Sequence, residues 1–488
     1  MTEKEMKQEG VNDSGRIARL EEELRQERAR HLEDVKLLTE KIEELTRLYE
    51  KALDENARLR SILDNNSGNS SLPPSTDQKT SRKEKAANEY NGREKSGRKA
   101  GGQKGHQGKT LTEAEVKEKL ASGKYKYELV EIGEKKDGAC TTRYELDLEI
   151  QPVIREIRIY ADAEGKLEIP EQYYSAVTYG ETIRALAVNL YGEGVLSNDR
   201  IAAFLNEASG VDFGLSEGSV YGFCSRFAEK SEGVIRELEK EQDRENVLCT
   251  DATCTRTNGK QSYIRNISSE GAVIYYAMKS KSIDELKKIA FLVRYRGILM
   301  HDHETALYHF GQGHAECNVH ILRYLRKNQE DTGHEWSEKM IALLTEMNDR
   351  RKAMIAAGET EFSPELIQSY ENQYRAILAE GREQNQKTEH EYARKKEAAL
   401  LKRLEDYSEN HLLFLHRFDV PFDDNMSERD LRKAKNRQKM AGGFRKPSGQ
   451  EMYCKILTII ETAKRRKAGI ITAIKNVLRG SPAVFQTV

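Results

Sequence analysis

The sequence has few cysteines and no long run of apolar residues. Its six cysteines include no Cys-x-x-Cys pair, which argues against a disulfide framework and favours a reducing compartment. Nowhere do about 18 apolar residues follow one another, as a membrane span requires. The first residues also lack the apolar core of a signal peptide. We therefore expect a soluble, cytoplasmic protein.

Charge is abundant and nearly balanced, but it is unevenly distributed along the chain. The 488 residues include 80 Lys and Arg against 81 Asp and Glu, and 37% are hydrophobic. This length predicts several folded pieces, and the apolar residues suffice for at least one core, so a wholly disordered chain is excluded. Because the charge is arranged in blocks, local basic segments say more about partners than the net charge does.

Residues 1–63 are predicted to form a coiled-coil oligomerisation segment. From Val35 to Leu63 the apolar residues recur at alternating steps of three and four, and Asn56 occupies one core position of this heptad pattern. A polar residue at such a position fixes register and strand number, which favours a parallel homodimer. The alternative is a single amphipathic helix that packs on its own domain.

Residues 64–110 are predicted to be a flexible basic linker. Between Lys79 and Lys109 there are ten Lys or Arg and three Glu, with little apolar surface to bury. Such an arm can neutralise DNA phosphates, and Arg98, Lys99 and Lys104 are its candidate contacts. The alternative is a solvated linker without a ligand.

Two smaller regions follow. Residues 111–178 are predicted to form a small β-rich element, because apolar and polar residues alternate around a turn at 163–165. Residues 179–240 are predicted to be helical and similar to a helix-turn-helix, with Ser219, Tyr221 and Arg226 as candidate DNA contacts. A helical bundle without DNA-binding function would have the same pattern.

Residues 241–320 carry the strongest strand signals and are predicted to be the first part of an α/β catalytic core. Three antiparallel strands, joined by the turn Asn258-Gly259 and a second turn, precede a crossover helix and a fourth strand that ends at Asp302. A helix is predicted from Gly313. Because a crossover usually returns a strand parallel to an earlier one, we expect the fourth strand beside the first and Asp302 near Asp251.

The remaining chain is predicted to contain a helical insertion (321–410), the second part of the core (411–445) and a basic C-terminal helical region (446–488). Between Arg429 and Arg479 fifteen Lys or Arg stand against three acids. A region so basic is expected to face a polyanion.

Three acidic residues are the candidate catalytic and metal-binding groups: Asp251, Asp302 and Glu428. Converging buried carboxylates need a cation, and Mg²⁺ prefers carboxylate oxygens. Two such ions, about 3.5 to 4 Å apart, can stabilise both the attacking and the leaving oxygen of a phosphodiester. Taken singly, each acid also has a structural explanation, such as pairing of Glu428 with Arg432. Together, their order along the strands and helix is the layout of ribonuclease H-like polynucleotidyl transferases.

Several motifs add to this pattern in order along the chain. They are NSGNSSLPPSTD, GRKAGGQKGHQG, the strand with Asp251, HDHETALYHFGQGHAECNVHILR and DDNMSERDLRKAKNRQKMAGG. With them the chain resembles the transposases of the insertion-sequence-66 family. The resemblance implies that Asp251, Asp302 and Glu428 form the acidic triad of a DDE-type transposase, with Glu428 placed by the pattern DNxxE. Lys435 matches a basic position on the triad helix.

The resemblance also implies partners and cofactors. The protein would bind the terminal inverted repeats of its element and target DNA in the nucleoid, and would catalyse hydrolysis and strand transfer with two Mg²⁺ or Mn²⁺ ions. Small accessory proteins are possible partners. Arg432, Lys435 and Lys439 share a helical stripe with Glu428 and would face DNA. Asn425, Cys317 and His320 would support the site.

The sequence departs from the family at one point. Many members carry a Cys-rich zinc-binding segment before the catalytic region, whereas this chain has only Cys140 there. We therefore predict no zinc. Two other functions remain open at this point: a catalytically inactive DNA-binding protein or repressor derived from a transposase, and a coiled-coil scaffold.

Overall fold

The computed structural model describes residues 3–66, 69–70, 111–132, 141–193 and 196–486, with side chains from residue 15 onward. The chain divides into two compact units, one formed by Met1–Glu89 with Ala315–Asp423 and the other by Tyr90–His314 with Asp424–Val488. None of the described helices is long and apolar enough to cross a membrane.

The helices and strands are numbered in chain order. The helices are α1 (Glu3–Leu63), α2 (Glu113–Ala121), α3 (Glu181–Gly192), α4 (Asn198–Ala208), α5 (Glu217–Lys230), α6 (Glu232–Gln242), α7 (Ile283–Leu286), α8 (Ala290–Arg294), α9 (Asn318–Thr332), α10 (Glu335–Ala356), α11 (Pro364–Asn385), α12 (Glu391–Asp406), α13 (Ser408–His411), α14 (Leu413–His416), α15 (Asn425–Asp430), α16 (Arg432–Ala441), α17 (Pro447–Arg465) and α18 (Ile470–Arg479). The strands are β1 (Val247–Thr257), β2 (Lys260–Ser268), β3 (Val273–Met278), β4 (Ile298–His301) and β5 (Gly313–Glu316).

The first unit is helical. Helix α1 is continuous through the predicted heptads, and seam residues such as Ile42 and Leu45 are more than 60% exposed. Its last turns contact the helices of the same unit: Asp54 accepts the backbone N–H of Tyr392 at 2.8 Å, and Ser61 donates to Asp331 at 2.7 Å. The end of α1 thus packs on its own unit while the seam is exposed, and self-association stays a prediction.

The predicted insertion is helical and comprises most of α9 together with α10 to α12. Trp336 on α10 and Tyr374 on α11 are almost fully buried and form part of its core. The start of α9 corrects one prediction, because residues 313–316 form strand β5 and the helix begins only at Asn318. Pairing in the sheet overrides the local helical preference of this short segment.

The second unit contains a sheet with the order β3-β2-β1-β4-β5. Strands β1, β2 and β3 are antiparallel, and β1 turns into β2 through Asn258 and Gly259, which both have positive φ angles. Strand β4 runs parallel to β1, with Met300 opposite Cys249. The three antiparallel strands and the position of the fourth beside the first are confirmed.

Helices cover both faces of this sheet. Phe291 and Leu292 of α8 pack with Leu248 and Leu299 on one face. On the other face, α17 packs along β3, where the backbone N–H of Tyr275 donates to the Thr458 hydroxyl at 3.0 Å. Helix α17 therefore satisfies part of the hydrogen-bonding capacity of an edge strand.

The basic C-terminal helices are part of this folded unit, and many of their charges are neutralised within it. Lys455 pairs with Glu232 at 2.7 Å, and Arg479 pairs with Glu181 at 2.6 Å. Arg465 pairs with Asp430. These pairs offset part of the local excess of positive charge, and the expectation that this region faces a polyanion stays a prediction.

The predicted β-rich element is also corrected. The described residues 124–132 and 141–170 contain no strand, although the turn is formed, with Gly165 donating to the Asp162 carbonyl at 3.0 Å. Apolar side chains on either side, such as Ile154 and Tyr160, are exposed. Alternation supplies a preference for strands, but strands form only where their backbone groups find partners. Cys140, on which the zinc prediction depended, lies outside the described residues, as does the basic linker with Arg98, Lys99 and Lys104.

Candidate active site

Two of the candidate carboxylates come together through the parallel pairing of β1 and β4. Cys249 lies opposite Met300, so two further residues along each chain bring Asp251 level with Asp302. Residues two apart in a strand point to the same face, and paired strands lie about 4.8 Å apart. His303, which follows Asp302, has a φ angle of +67°, an unusual backbone conformation for a residue other than glycine.

Asp251 is half-buried and electrostatically strained. One of its oxygens accepts the backbone N–H of Ala252 at 2.6 Å. Burial and the nearby charge of Asp302 raise the pKa of Asp251 to about 6, and this rise remains although Lys435 and Lys281 lower it. A carboxyl with a raised pKa beside a second carboxyl is a frequent feature of functional sites.

Two more acids lie on the segment that leads into α15. Asp424, directly before this helix, is 1% exposed, and Glu428 follows one turn later, with its N–H donating to the Asp424 carbonyl at 3.1 Å. Burial raises the pKa of Asp424 well above its usual range, and Asp251, Glu428 and Asp302 raise it further. We call Asp251, Asp302, Asp424 and Glu428 the carboxylate cluster.

The segment that carries Glu428 is held on the sheet by hydrogen bonds. Asn266 on β2 bonds both Asp251 and Ser427, and Tyr275 on β3 donates to the Asp430 carbonyl at 3.0 Å. Helix α15 ends at Asp430 and α16 starts at Arg432, so the expected single stripe is divided between two consecutive helices.

Basic residues surround the carboxylate cluster. Lys435 of α16 and Lys281 after β3 are near enough to Asp251 to lower its pKa. Lys281 also pairs with Glu304 at 3.1 Å. Arg432 and Lys439, the other two predicted DNA contacts on α16, are exposed. Lys435 is thus the predicted basic residue that the structure brings to the carboxylates.

The carboxylate cluster has the ligand chemistry of a magnesium site, although it is not a complete cage. Among the residues that the structure describes, no three His, Cys, Asp or Glu side chains converge closely enough to hold an ion by themselves. Mg²⁺ is usually bound by one or two carboxylates, and keeps several waters or takes phosphate oxygens. Because Asp251 and Asp424 are destabilised by neighbouring carboxylates, a divalent cation would remove an existing repulsion. The donors therefore fit such an ion.

The structure brings Asp251, Asp302, Glu428 and Lys435 of the predicted residues into one neighbourhood, with Asn425 at the start of α15. Cys317 and His320 belong to the helical unit, at the start of α9, and their supporting role stays a prediction. Sequence reasoning missed other residues. They are Asp424, Lys281, Asn266 and Ser427. The signals available for them were the Asp that opens the DNxxE pattern and an Asn within an apolar strand.

A second feature of the same unit is a groove of about 230 Å³ beside α3 and α5. Arg184 and Arg226 both line it, together with Ser219. Arg184 donates to the Tyr179 carbonyl at 2.7 Å, whereas exposed Arg226 makes no hydrogen bond or ion pair within the described part of the chain. We call this feature the arginine groove; it includes two of the three predicted DNA contacts of the helical region.

Comparison with known families agrees with this geometry. A model described as Transposase IS66 family matches residues 176–452, a range that includes the sheet and the whole carboxylate cluster. A model of a family of unknown function matches residues 18–112. No curated protein matches the chain.

The mixed α/β fold and the family match define a transposase, an enzyme that acts on DNA. Because the match covers more than half of the chain, the chain belongs to the IS66 family of transposases.

Proposed function

We propose that this transposase uses Asp251, Asp302 and Glu428 as a DDE-type catalytic triad in a ribonuclease H-like core. It binds the terminal inverted repeats of its element, hydrolyses a phosphodiester at the element end and joins the freed 3′-hydroxyl to target DNA. The observation that carries this proposal is the alignment of Asp251 with Asp302 across the parallel strands β1 and β4, where burial and the charge of Asp302 raise the pKa of Asp251. The strand order, with β4 parallel to β1, supports the fold assignment.

Asp251, Asp302 and Glu428 would hold Mg²⁺ or Mn²⁺. Bound ions of this kind stabilise charge that develops on a reacting phosphate and lower the pKa of a bound water. The contribution of the chain is mainly positioning, because three carboxylates from β1, the end of β4 and α15 are fixed before DNA arrives. Asp424 is buried beside these carboxylates, and its strongly raised pKa favours the neutral carboxyl group there until a cation binds. Lys435 is positioned to contact a phosphate oxygen next to Asp251.

DNA would also be held outside the carboxylate cluster. The arginine groove offers two guanidinium groups, and Arg226 has no partner that would compete with a phosphate among the described residues. Exposed Arg432 and Lys439 lie on the helix that carries Lys435. Phosphate contacts of this kind fix the position of the duplex without reading its sequence.

The decisive test is cleavage of a labelled duplex that bears the terminal repeat of the element, with Mg²⁺ or Mn²⁺, by wild type and Glu428→Gln. Exposed Glu451 on α17 provides a matched control, Glu451→Gln. We expect cleavage at the repeat end by the wild type and the control, and loss of cleavage with retained binding in Glu428→Gln. Equal cleavage by Glu428→Gln would remove that residue from the mechanism. Tight binding without cleavage in the wild type would favour the inactive DNA-binding protein or a missing accessory protein.

The protein is further proposed to self-associate through α1. The seam that contains Ile42, Leu45 and Tyr49 is exposed over several heptads, which leaves a continuous apolar stripe for a second copy. Deletion of residues 14–63 should lower the oligomeric mass measured by light scattering. An unchanged mass would discard the coiled-coil interpretation.

A further inference from the structure

Asn266 lies two residues before the end of β2, fully buried and directly opposite Asp251. Its Oδ1 atom accepts the backbone N–H of Asp251 at 3.0 Å and the hydroxyl of Ser427 at 2.8 Å. Its Nδ2 atom donates to the carbonyl oxygen of Ser427 at 3.0 Å. A single side chain therefore joins the strand that carries Asp251 to the helix that carries Glu428.

The surroundings of Asn266 require an amide. Nδ2 also lies 3.2 Å from the Ser268 hydroxyl and 3.5 Å from a carboxylate oxygen of Asp430. Asp430 is itself held by Ser268 at 2.7 Å and by Arg465. An amide provides an acceptor on one side and a donor on the other, whereas a carboxylate at this position would face the Ser427 carbonyl and Asp430 with like charge. A leucine would have a similar size but would leave buried polar groups without partners.

We propose that Asn266 is a positioning residue of the transposase reaction, and that its hydrogen bonds set Asp251 in register with Glu428. The expected effect on catalysis rests on the proposed function. The tether, by which we mean the hydrogen bonds of Asn266 to Asp251 and Ser427, does not depend on that function. Displacement of a reacting group by about 1 Å can lower a rate on the order of 100-fold. We therefore expect Asn266→Asp and Asn266→Leu to lower the single-turnover cleavage rate by a factor of this order, with the Kd for DNA unchanged.

A buried asparagine elsewhere in the same unit provides the control. Asn476 on α18 is 8% exposed and donates to the carbonyls of Ala483 and Val484. Asn476→Asp should lower the Tm as the Asn266 variants do, but should leave the cleavage rate of the folded protein unchanged. A loss of cleavage rate in Asn476→Asp as large as in Asn266→Asp, at equal loss of Tm, would reduce Asn266 to a general structural role and overturn the proposal.

A double-mutant cycle covers the case in which Asn266→Asp does not fold. Ser427→Ala removes one bond to Asn266 and leaves a small side chain. If the two residues act as one tether, the rate loss of Asn266→Ala/Ser427→Ala is smaller than the product of the two single losses. A loss equal to that product would mean independent effects and would reject the tether.

Hydrogen exchange separates failure of the tether from failure of the proposed function. In Asn266→Leu, amides of residues 425–431 should exchange faster than in the wild type, because α15 loses a bond to the sheet. Unchanged exchange overturns the tether even if the wild type cleaves DNA. Faster exchange in a protein whose wild type binds but does not cleave DNA would support the tether, and the missing cleavage would then point to an inactive DNA-binding protein or to a missing accessory protein.

Discussion

The two units each contain a buried carboxylate site, and the two sites differ in how their charge is satisfied. In the helical unit, Glu397 is fully buried and one oxygen accepts from Asn328 at 3.0 Å, His334 at 2.8 Å and Trp336 at 2.7 Å. The other oxygen accepts from Asn385 and Thr388. Burial alone would raise the pKa of Glu397, but these hydrogen bonds together lower it.

The carboxylate cluster has the opposite balance. Burial and neighbouring carboxylates raise the pKa of Asp251 and Asp424, and the basic groups near Asp251 do not cancel the effect. A buried charge with all its hydrogen bonds made stabilises a fold, whereas a buried charge that faces like charge has a cost that a ligand can remove. The difference favours a structural role for Glu397 and supports the functional role proposed above for the carboxylate cluster.

The largest expected effect is on DNA cleavage, which should depend on the carboxylate cluster and not on Glu397. Asp251→Asn should lower DNA cleavage on the order of 1,000-fold, because a ligand for the catalytic ion is lost, while DNA binding persists. Glu397→Gln should cleave at the wild-type rate per folded molecule. Both are measured by single-turnover cleavage and by titration with labelled duplex. Retained cleavage by Asp251→Asn would contradict the proposed catalytic role of Asp251.

The second prediction concerns stability. Glu397→Gln replaces one acceptor oxygen by an NH₂ group, which then faces donors such as Trp336 or Asn385. Unpaired buried donors and the loss of charge-assisted bonds should lower the free energy of unfolding by about 2 to 4 kcal/mol. Urea unfolding of the full chain, followed by tryptophan fluorescence, reports directly on Trp336, the one tryptophan. A change below about 0.5 kcal/mol would show that this hydrogen-bond network contributes little to the stability of the fold.

The third prediction uses pH to contrast the two sites. The folded protein binds the Asp251 proton more tightly than the unfolded chain, because the pKa is raised from about 4 to about 6. The stabilisation from this group is complete below pH 4 and is lost as the pH rises towards 6. Asp251→Asn should therefore be more stable than the wild type at pH 7 by up to about 3 kcal/mol, with the difference shrinking below pH 4.

Glu397 gives the opposite sign in the same experiment. Its pKa is lowered, so its stabilisation is present above the unfolded pKa and is lost as the pH falls through the folded value. Thermal melts of both variants between pH 3 and 8 measure the two trends without Mg²⁺. Parallel trends in Asp251→Asn and Glu397→Gln would contradict the contrast.

The proximity of Asp251 and Asp302 could be predicted from the sequence because it follows from a general rule of sheet topology. A crossover returns the fourth strand beside the first, and register then aligns residues that end or interrupt strands. Glu428 lies more than 120 residues beyond Asp302 in the chain, and only its motif and the family resemblance identified it. Asp424 and Asn266 were missed because their importance arises from tertiary contacts, which a single sequence does not display.

The predictions that the structure corrects or narrows also have physical reasons. Residues 144–170 alternate as strands do, yet alternation does not provide the partner that a strand needs. The basic residues after Arg429 were counted as one block of charge, whereas Arg479 and Lys455 pair with Glu181 and Glu232, which are far away in the sequence. A count of basic residues along the sequence therefore does not show how many of them are unpaired in the fold.

The smallest expected effect is on DNA affinity, and it compares two arginines in place of two carboxylate sites. Arg226 of the arginine groove has no partner in the described residues, whereas Arg479 is paired with Glu181. If unsatisfied charges bind ligands and paired charges hold the fold, Arg226→Ala should weaken duplex binding several-fold and lower the slope of log affinity against log salt by about 1. Arg479→Ala should leave the slope unchanged and lower the Tm slightly, since exposed pairs contribute little.

Fluorescence anisotropy between about 50 and 200 mM salt, a range set by the expected slope, measures the salt dependence of both variants. Equal slopes for wild type and Arg226→Ala would remove the arginine groove from the DNA-binding surface and leave that role to Arg432, Lys435 and Lys439.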